Sequence, residues 1–269
     1  MSGDTGIFEA ISEAFSGVIQ TDPQFWTEIL LPALGQGLLV TLQLIVLVAP
    51  LGLALGILVA VCRVYAPKPF SFLARLYVIF FRGCPLLVLL FILYFGLPSV
   101  GIILEGFTAA VIGFVLCNAA YNSEYIRGAL QSIKSGQMKA ALALGMTKRQ
   151  AIISVVIPQA MRRAIPGVSN EFIYMIKYTS LAYFVTVVEL TMAARMIAMH
   201  YLAFIEAFSV VSLFYLALVS LATAGSHWLE RKLAVPGLTA VDVKAPPFRL
   251  KKEKKLSEVL HDSLKQTRD

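Results

Sequence analysis

Positive charge is missing from the start of this chain. Residues 1–62 contain no Lys or Arg, while Asp4, Glu9, Glu13, Asp22 and Glu28 are acidic. Residues 29–62 carry no charge of either sign. Charged residues make up 14% of the 269 residues and hydrophobic ones 58%. Soluble domains carry about 25% charged residues, so this composition belongs to a chain immersed in lipid. Cysteine is also scarce. Cys62, Cys84 and Cys117 show no metal-binding or redox spacing, and each lies in or beside an apolar run. They read as small buried residues, with no metal site expected. No Walker A sequence, HExxH, GxSxG or glycine-rich dinucleotide loop is present. The chain therefore shows no catalytic machinery of its own, and no cofactor is expected. The N-terminus lacks a basic n-region, so no cleaved signal peptide is expected.

The basic residues that do occur form no single patch, which argues against a nucleic-acid partner. They gather in residues 63–75, 127–163 and from 231 onward. The positive-inside rule assigns those three regions to the cytoplasm and the N-terminus to the outside.

Taken in order, residues 1–28 place Ile7, Phe8, Ile11, Phe15 and Ile19 at helical spacing, which predicts an external interfacial helix. Residues 29–62 exceed the roughly 20 residues needed to cross a bilayer, with the helix proper expected to begin after Pro32 and Gly35. Gly52 and Gly56 form a GxxxG pair that allows close helix approach without naming a partner. Residues 63–81, with Pro67 and Pro69, read as a cytoplasmic elbow. A second span is expected from Arg82 to about Pro98. Arg82 is read as snorkelling to the headgroups in preference to a functional charge inside the membrane. A third span runs from Glu105 to Tyr121 and ends in a polar group: Asn118, Asn122, Glu124 and Arg127. Glu124 and Arg127, three apart, either pair with each other or serve a ligand. A fourth span, from after Pro166 to about Val185, carries Glu171, Lys177, Thr179 and Ser180, so one side must face a helix or a watery cavity. A short external helix is expected within residues 186–204, and a last span from Ala207 to Leu229. The tail from Ala234, with its basic run at Lys251, Lys252, Lys254 and Lys255, is expected to be largely disordered. The count is five spans, with the C-terminus inside.

Residues 136–160 are polar enough to leave the membrane. Ala140–Leu144 favour helix, Gly145 sits where a left-handed cap belongs, and Thr147 with Gln150 has capping-box spacing. Met138, Ala141, Leu142 and Leu144 form an apolar patch beside Lys139, Lys148 and Arg149. Spacing alone leaves two readings, a docking peg of two short helices closed by Pro158, or a solvated loop.

Several stretches resemble one family. Residues 37–42 (GLLVTL), 81–87 (FRGCPLL), 119–128 (AAYNSEYIRG), 136–145 (GQMKAALALG) with 158–160 (PQA), 177–181 (KYTSL) and 188–191 (VELT) are similar, in order, to stretches of the permease subunits of ABC importers for polar amino acids of the histidine, glutamine, arginine and glutamate type. Lys139 departs from that pattern where the family's EAA loop carries glutamate, and Cys84 where its FRGTP run has threonine. The resemblance implies an all-α integral membrane fold of the type I ABC importer permease kind, with five transmembrane helices and a cytoplasmic coupling-helix pair in a prokaryotic inner membrane. Its implied partners are two cytoplasmic ATPase subunits, a second permease subunit (identical or paralogous), an extracytoplasmic binding protein, an amino acid and the lipid bilayer. Lys139, Ala140, Ala141, Leu144 and Gly145 are the implied ATPase-coupling residues. Asn118, Asn122, Glu124, Thr179 and Ser180 are the candidate substrate-binding residues, because an amino acid needs acceptors for its ammonium and donors for its carboxylate. Glu189 belongs either to an external gate or to a helix cap. The other classes open at this point are an ion-coupled secondary transporter and a non-transporting membrane assembly subunit.

Overall fold

A computed structural model describes residues 22–133 and 135–233, and within them every regular element is helical. Eight helices follow in order: α1 Phe25–Tyr65, α2 Lys68–Gly83, α3 Leu86–Val100, α4 Gly106–Ser132, α5 Ser135–Ala143, α6 Lys148–Val185, α7 Leu190–Tyr201 and α8 Phe204–Leu233. The tail beyond residue 233 and the expected interfacial helix lie outside the described residues, apart from residues 22–28, of which 25–28 belong to α1. By length and composition α1 and α8 can each cross a membrane. Up to four spans result if the bent pairs α2/α3 and α6/α7 count as one each. α4, at 27 residues, is also longer than a crossing requires.

Prolines are handled differently from the sequence expectation. The helix proper starts at Phe25, ahead of Pro32, and neither Pro158 nor Pro166 ends or begins α6. Pro50 and Pro166 sit inside regular α-helix, but three other prolines share one device. A π-helical turn ends two residues before Pro32 (Phe25–Leu30), before Pro98 (Ile92–Gly96) and before Pro158 (Ile152–Val156). Proline lacks an amide hydrogen and its ring collides with the carbonyl four residues back. The wider π turn relieves both problems within a continuous helix.

The expected elbow at residues 63–81 is mostly helix. Pro67 precedes α2 and Pro69 sits in its first turn, where proline favours a helix start. The break falls later, at Cys84 and Pro85, where α2 and α3 meet at 102°. The FRGCP stretch is thus a corner rather than the mouth of a straight span. One face of α2 exposes Phe70, Leu73, Leu76, Ile79 and Phe80, a surface suited to lipid or a partner helix.

Buried clusters line up along α1. Phe25, Leu30 and Leu34 pack with α7 and α8 at one end. Leu44 and Val48 pack with Leu90, Phe114 and Met175 in the middle. Ala60 packs with Ile126, Leu130, Val156 and Ala160 at the other end. α1 and α4 approach closely. A Cβ at Gly56 would stand 2.8 Å from the Cβ of Asn122 and 3.1 Å from the Ala119 carbonyl, and one at Gly52 would run into the Asn118 side chain. The GxxxG pair therefore has its partner within the chain.

Gly56→Val should lower the thermal unfolding midpoint in detergent, at a cost of about 1–3 kcal/mol from overpacking. Gly128→Ala on α4, where an added Cβ meets nothing within 4 Å, should leave it unchanged or raised. Equal losses in both variants would contradict the seam.

Candidate functional site

The polar residues of α4 are organised by that seam. Asn122 donates from Nδ2 to Asn118 Oδ1 at 2.7 Å, and Asn118 donates from Nδ2 to Tyr178 Oη at 3.2 Å and towards Glu171 Oε1 at 3.5 Å. All of Asn118, Asn122 and Glu171 are buried. Asn122 Oδ1 has no hydrogen-bond partner. Two cavities flank this chain of amides. One, of about 520 Å³, is walled by Arg82, Tyr121, Tyr125, Glu171, Tyr174 and Tyr178 at the α2/α3 corner. The other, of about 570 Å³, is lined by Asn118 and Asn122 but otherwise mainly by apolar residues such as Leu53, Met161, Phe172 and Leu229. The first offers a cation and a carboxylate across one space, whereas the second offers no charge.

Glu124 lies in neither wall. It binds Arg63 Nη1 at 2.7 Å and Arg127 Nη2 at 2.8 Å, and Arg82 Nη1 approaches to 3.6 Å. The Glu124/Arg127 pair is therefore present, and two arginines from α1 and α2 join it. Arg82 stands between this carboxylate and the polar cavity, its guanidinium 5.2 Å from the Tyr121 ring centroid. It lines a cavity in addition to any reach towards the headgroups. Thr179 and Ser180 open the 3₁₀ segment of α6 and donate to the carbonyls of Ile176 and Lys177, each at 2.7 Å. Neither lines the two cavities. Glu189 is fully buried and caps α7, accepting from the amides of Thr191 and Met192 at 2.9 Å and from Tyr215 Oη at 3.0 Å.

Sequence reasoning singled out Glu171 as unsuited to lipid but left it, Arg82 and the tyrosines out of the candidate set. A signal was available. Glu171, Tyr174 and Tyr178 repeat at three and four residues on one helix, and Tyr121 and Tyr125 at four on another, which puts each set on one face.

The peg has the expected caps. Gly145 adopts φ +84°. Its amide bonds to the Leu142 carbonyl and that of Met146 to the Ala141 carbonyl, the paired bonds of a Schellman ending. Thr147 and Gln150 form a reciprocal capping box. Ala141 is buried, whereas Lys139, Ala140, Leu144 and Gly145 are exposed. The second arm is no short helix closed by Pro158. It is the first turn of α6, which runs on through Glu171 and Tyr178.

An all-helical, membrane-embedded subunit with a charged internal cavity and a capped polar peg has the anatomy of a transport component. Residues 52–235 match the family of binding-protein-dependent transport system inner membrane components, and the chain belongs to it. Among its relatives, the probable amino-acid ABC transporter permease protein PatM of Vibrio harveyi is 43% identical, covering 76% of this chain and 93% of PatM. The arginine transport system permease protein ArtQ of Bacillus subtilis is 34% identical, over 76% of this chain and 93% of ArtQ. A crystal structure of an amino acid ABC transporter with histidines superposes with a TM-score of 0.69 at 32% identity, covering 75% of this chain and 94% of that one. An inward-facing MetNI methionine ABC transporter chain shares the fold, with a TM-score of 0.65 at 21% identity over 80% and 100% of the two chains.

Glu124→Gln should destabilise the subunit by about 1–2 kcal/mol. That is less than the roughly 3–5 kcal/mol for breaking a fully buried pair, because the carboxylate side chain keeps 21% of its exposure. Thermal unfolding in detergent at low and high salt measures it. An unchanged midpoint at low salt would show that the arginines do not depend on Glu124.

Proposed function

We propose that this chain is the transmembrane subunit of an ATP-driven importer and forms the translocation pathway for a polar amino acid through the cavity between Arg82 and Glu171. The observation that carries the reading is the pairing of one cation and one carboxylate across a space of about 520 Å³, in a chain whose relatives bear amino-acid permease names. An α-amino acid is a zwitterion. Arg82 suits its carboxylate through bidentate donation, and Glu171 suits its ammonium. Asn118 and Tyr178 hold the Glu171 carboxylate, and the tyrosine rings cover apolar parts of the ligand. None of the five residues first considered lines this cavity, and Asn118 acts on it through Glu171 and Tyr178. Asn122 supports Asn118, Glu124 holds Arg82, and Thr179 and Ser180 shape the turn that follows Tyr178.

In this reading ATP hydrolysis takes place on separate cytoplasmic subunits, which receive the peg formed by α5 and the start of α6. A second permease subunit, identical or paralogous, completes the pathway, and an extracytoplasmic binding protein delivers the ligand. The subunit sits in a prokaryotic inner membrane with five spans, N-terminus outside and C-terminus in the cytoplasm. The clustering of basic residues supports that orientation.

Reconstitution with a candidate ATPase and binding protein tests it, using labelled glutamine, arginine, histidine and glutamate in turn. Uptake should require ATP, and Glu171→Gln or Arg82→Gln should raise the half-saturating concentration about ten-fold or more, a loss of at least ~1.4 kcal/mol, with the same amount of ATPase bound. Uptake driven by a proton gradient without ATPase would overturn the reading in favour of a secondary transporter.

A further inference from the structure

The peg is one-sided in its charge. Between Gly128 and Asn170 the sequence contains Lys134, Lys139, Lys148, Arg149, Arg162 and Arg163, and no Asp or Glu. The carboxylates on either side are engaged elsewhere, Glu124 by three arginines and Glu171 by Asn118. Among the described residues, no carboxylate comes within ion-pair distance of Lys139, Lys148 or Arg149, and all three are exposed.

The orientation of Lys139 follows from the helix. Ala141 is the buried residue of α5, and Gln159 donates to Gln137 at 3.3 Å, tying α5 to α6. Each residue turns an α-helix by about 100°, so Lys139 stands roughly 200° from Ala141 and projects away from the body of the subunit. Leu142 and the 84% exposed Leu144 lie beyond it, held by the Schellman ending and the capping box. An exposed apolar knob that shares its peg with uncompensated cations is incomplete in water. It needs an apolar pit with a negative rim.

We propose that Lys139, with Lys148 and Arg149, selects an ATPase subunit whose docking groove places carboxylates around an apolar floor that receives Leu144. This rests on the function proposed above and specifies the chemistry of its partner. The lysine stem covers apolar surface while its ammonium reaches the rim. Opposite charge at the rim speeds encounter and fixes register, and a basic rim on the wrong ATPase repels this peg. An anionic membrane surface would also attract cations. It leaves unexplained why Lys139 projects away from the helices and why a rigidly capped leucine stands exposed beside it.

The test is retention, on the tagged subunit in neutral detergent, of the ATPase that supports its uptake in reconstitution. Lys139→Glu should reduce retention about ten-fold at ~0.1 M salt, Lys139→Gln by less, and wild-type retention should fall at ~1 M salt, where charges are screened beyond about 3 Å. A single Glu→Lys or Asp→Lys change on the ATPase groove rim should restore binding to Lys139→Glu. Leu144→Asp separates the two levels of the argument. If it loses the ATPase while Lys139→Glu retains it at the wild-type level, docking stands and the acidic rim is overturned. If both variants retain it, the docking reading itself fails. A Lys139→Glu defect that appears only when anionic lipid is added assigns the cation to headgroups and also overturns the proposal.

Discussion

Where α1 passes α4, Gly52 and Gly56 present only hydrogen atoms, and the side chains of Asn118 and Asn122 occupy the space that larger residues would take. Within a bilayer little solvent stands ready to satisfy amides, so partners come from the same helix or from neighbouring ones. Asn122 gives its hydrogen to Asn118, and Asn118 passes the order on to Tyr178 and Glu171 of α6. One and a half turns further along α4, Glu124 takes Arg63 from α1. The same seam thus sets the depth and direction of the buried carboxylate at the cavity and of the ion cluster beside it.

That seam is joined to the peg by a single helix. α6 begins at the capping box outside Thr147 and carries Glu171, Tyr174 and Tyr178 farther along its length. Arg163 on the same helix donates to the Ser132 carbonyl at 2.8 Å, tying α6 to the end of α4. One run of helix therefore joins the peg to the cavity wall, with no break at Pro158. The π turn at Ile152–Val156 lets that proline sit inside the helix.

The peg itself was legible in the sequence because its instructions are local. Gly145 is needed for a positive φ, and Thr147 and Gln150 reach each other across three residues. The helical class, the start of α4 at Gly106 and the presence of α7 were legible for similar reasons, from hydropathy and cap residues. Prolines misled the reading of boundaries at Pro32, Pro69 and Pro158, because a proline's effect depends on whether the backbone before it widens into a π turn or is only beginning its helix. The hydroxyls of Thr179 and Ser180 each donate to a carbonyl of their own helix, a choice made by local geometry that residue type does not reveal.

Residue order by itself determined helices in lipid, from long uncharged runs, and a capped helix turn, from residues three and four apart. Only the tertiary structure decided which charges meet. Arg63 reaches Glu124 from 61 positions away, and Arg82 faces Glu171 across a cavity built by helices distant in sequence. Periodicity reports which side of a helix a residue occupies. It carries no information on which other helix faces that side, and that pairing separates a carboxylate held by arginines from one that lines a cavity.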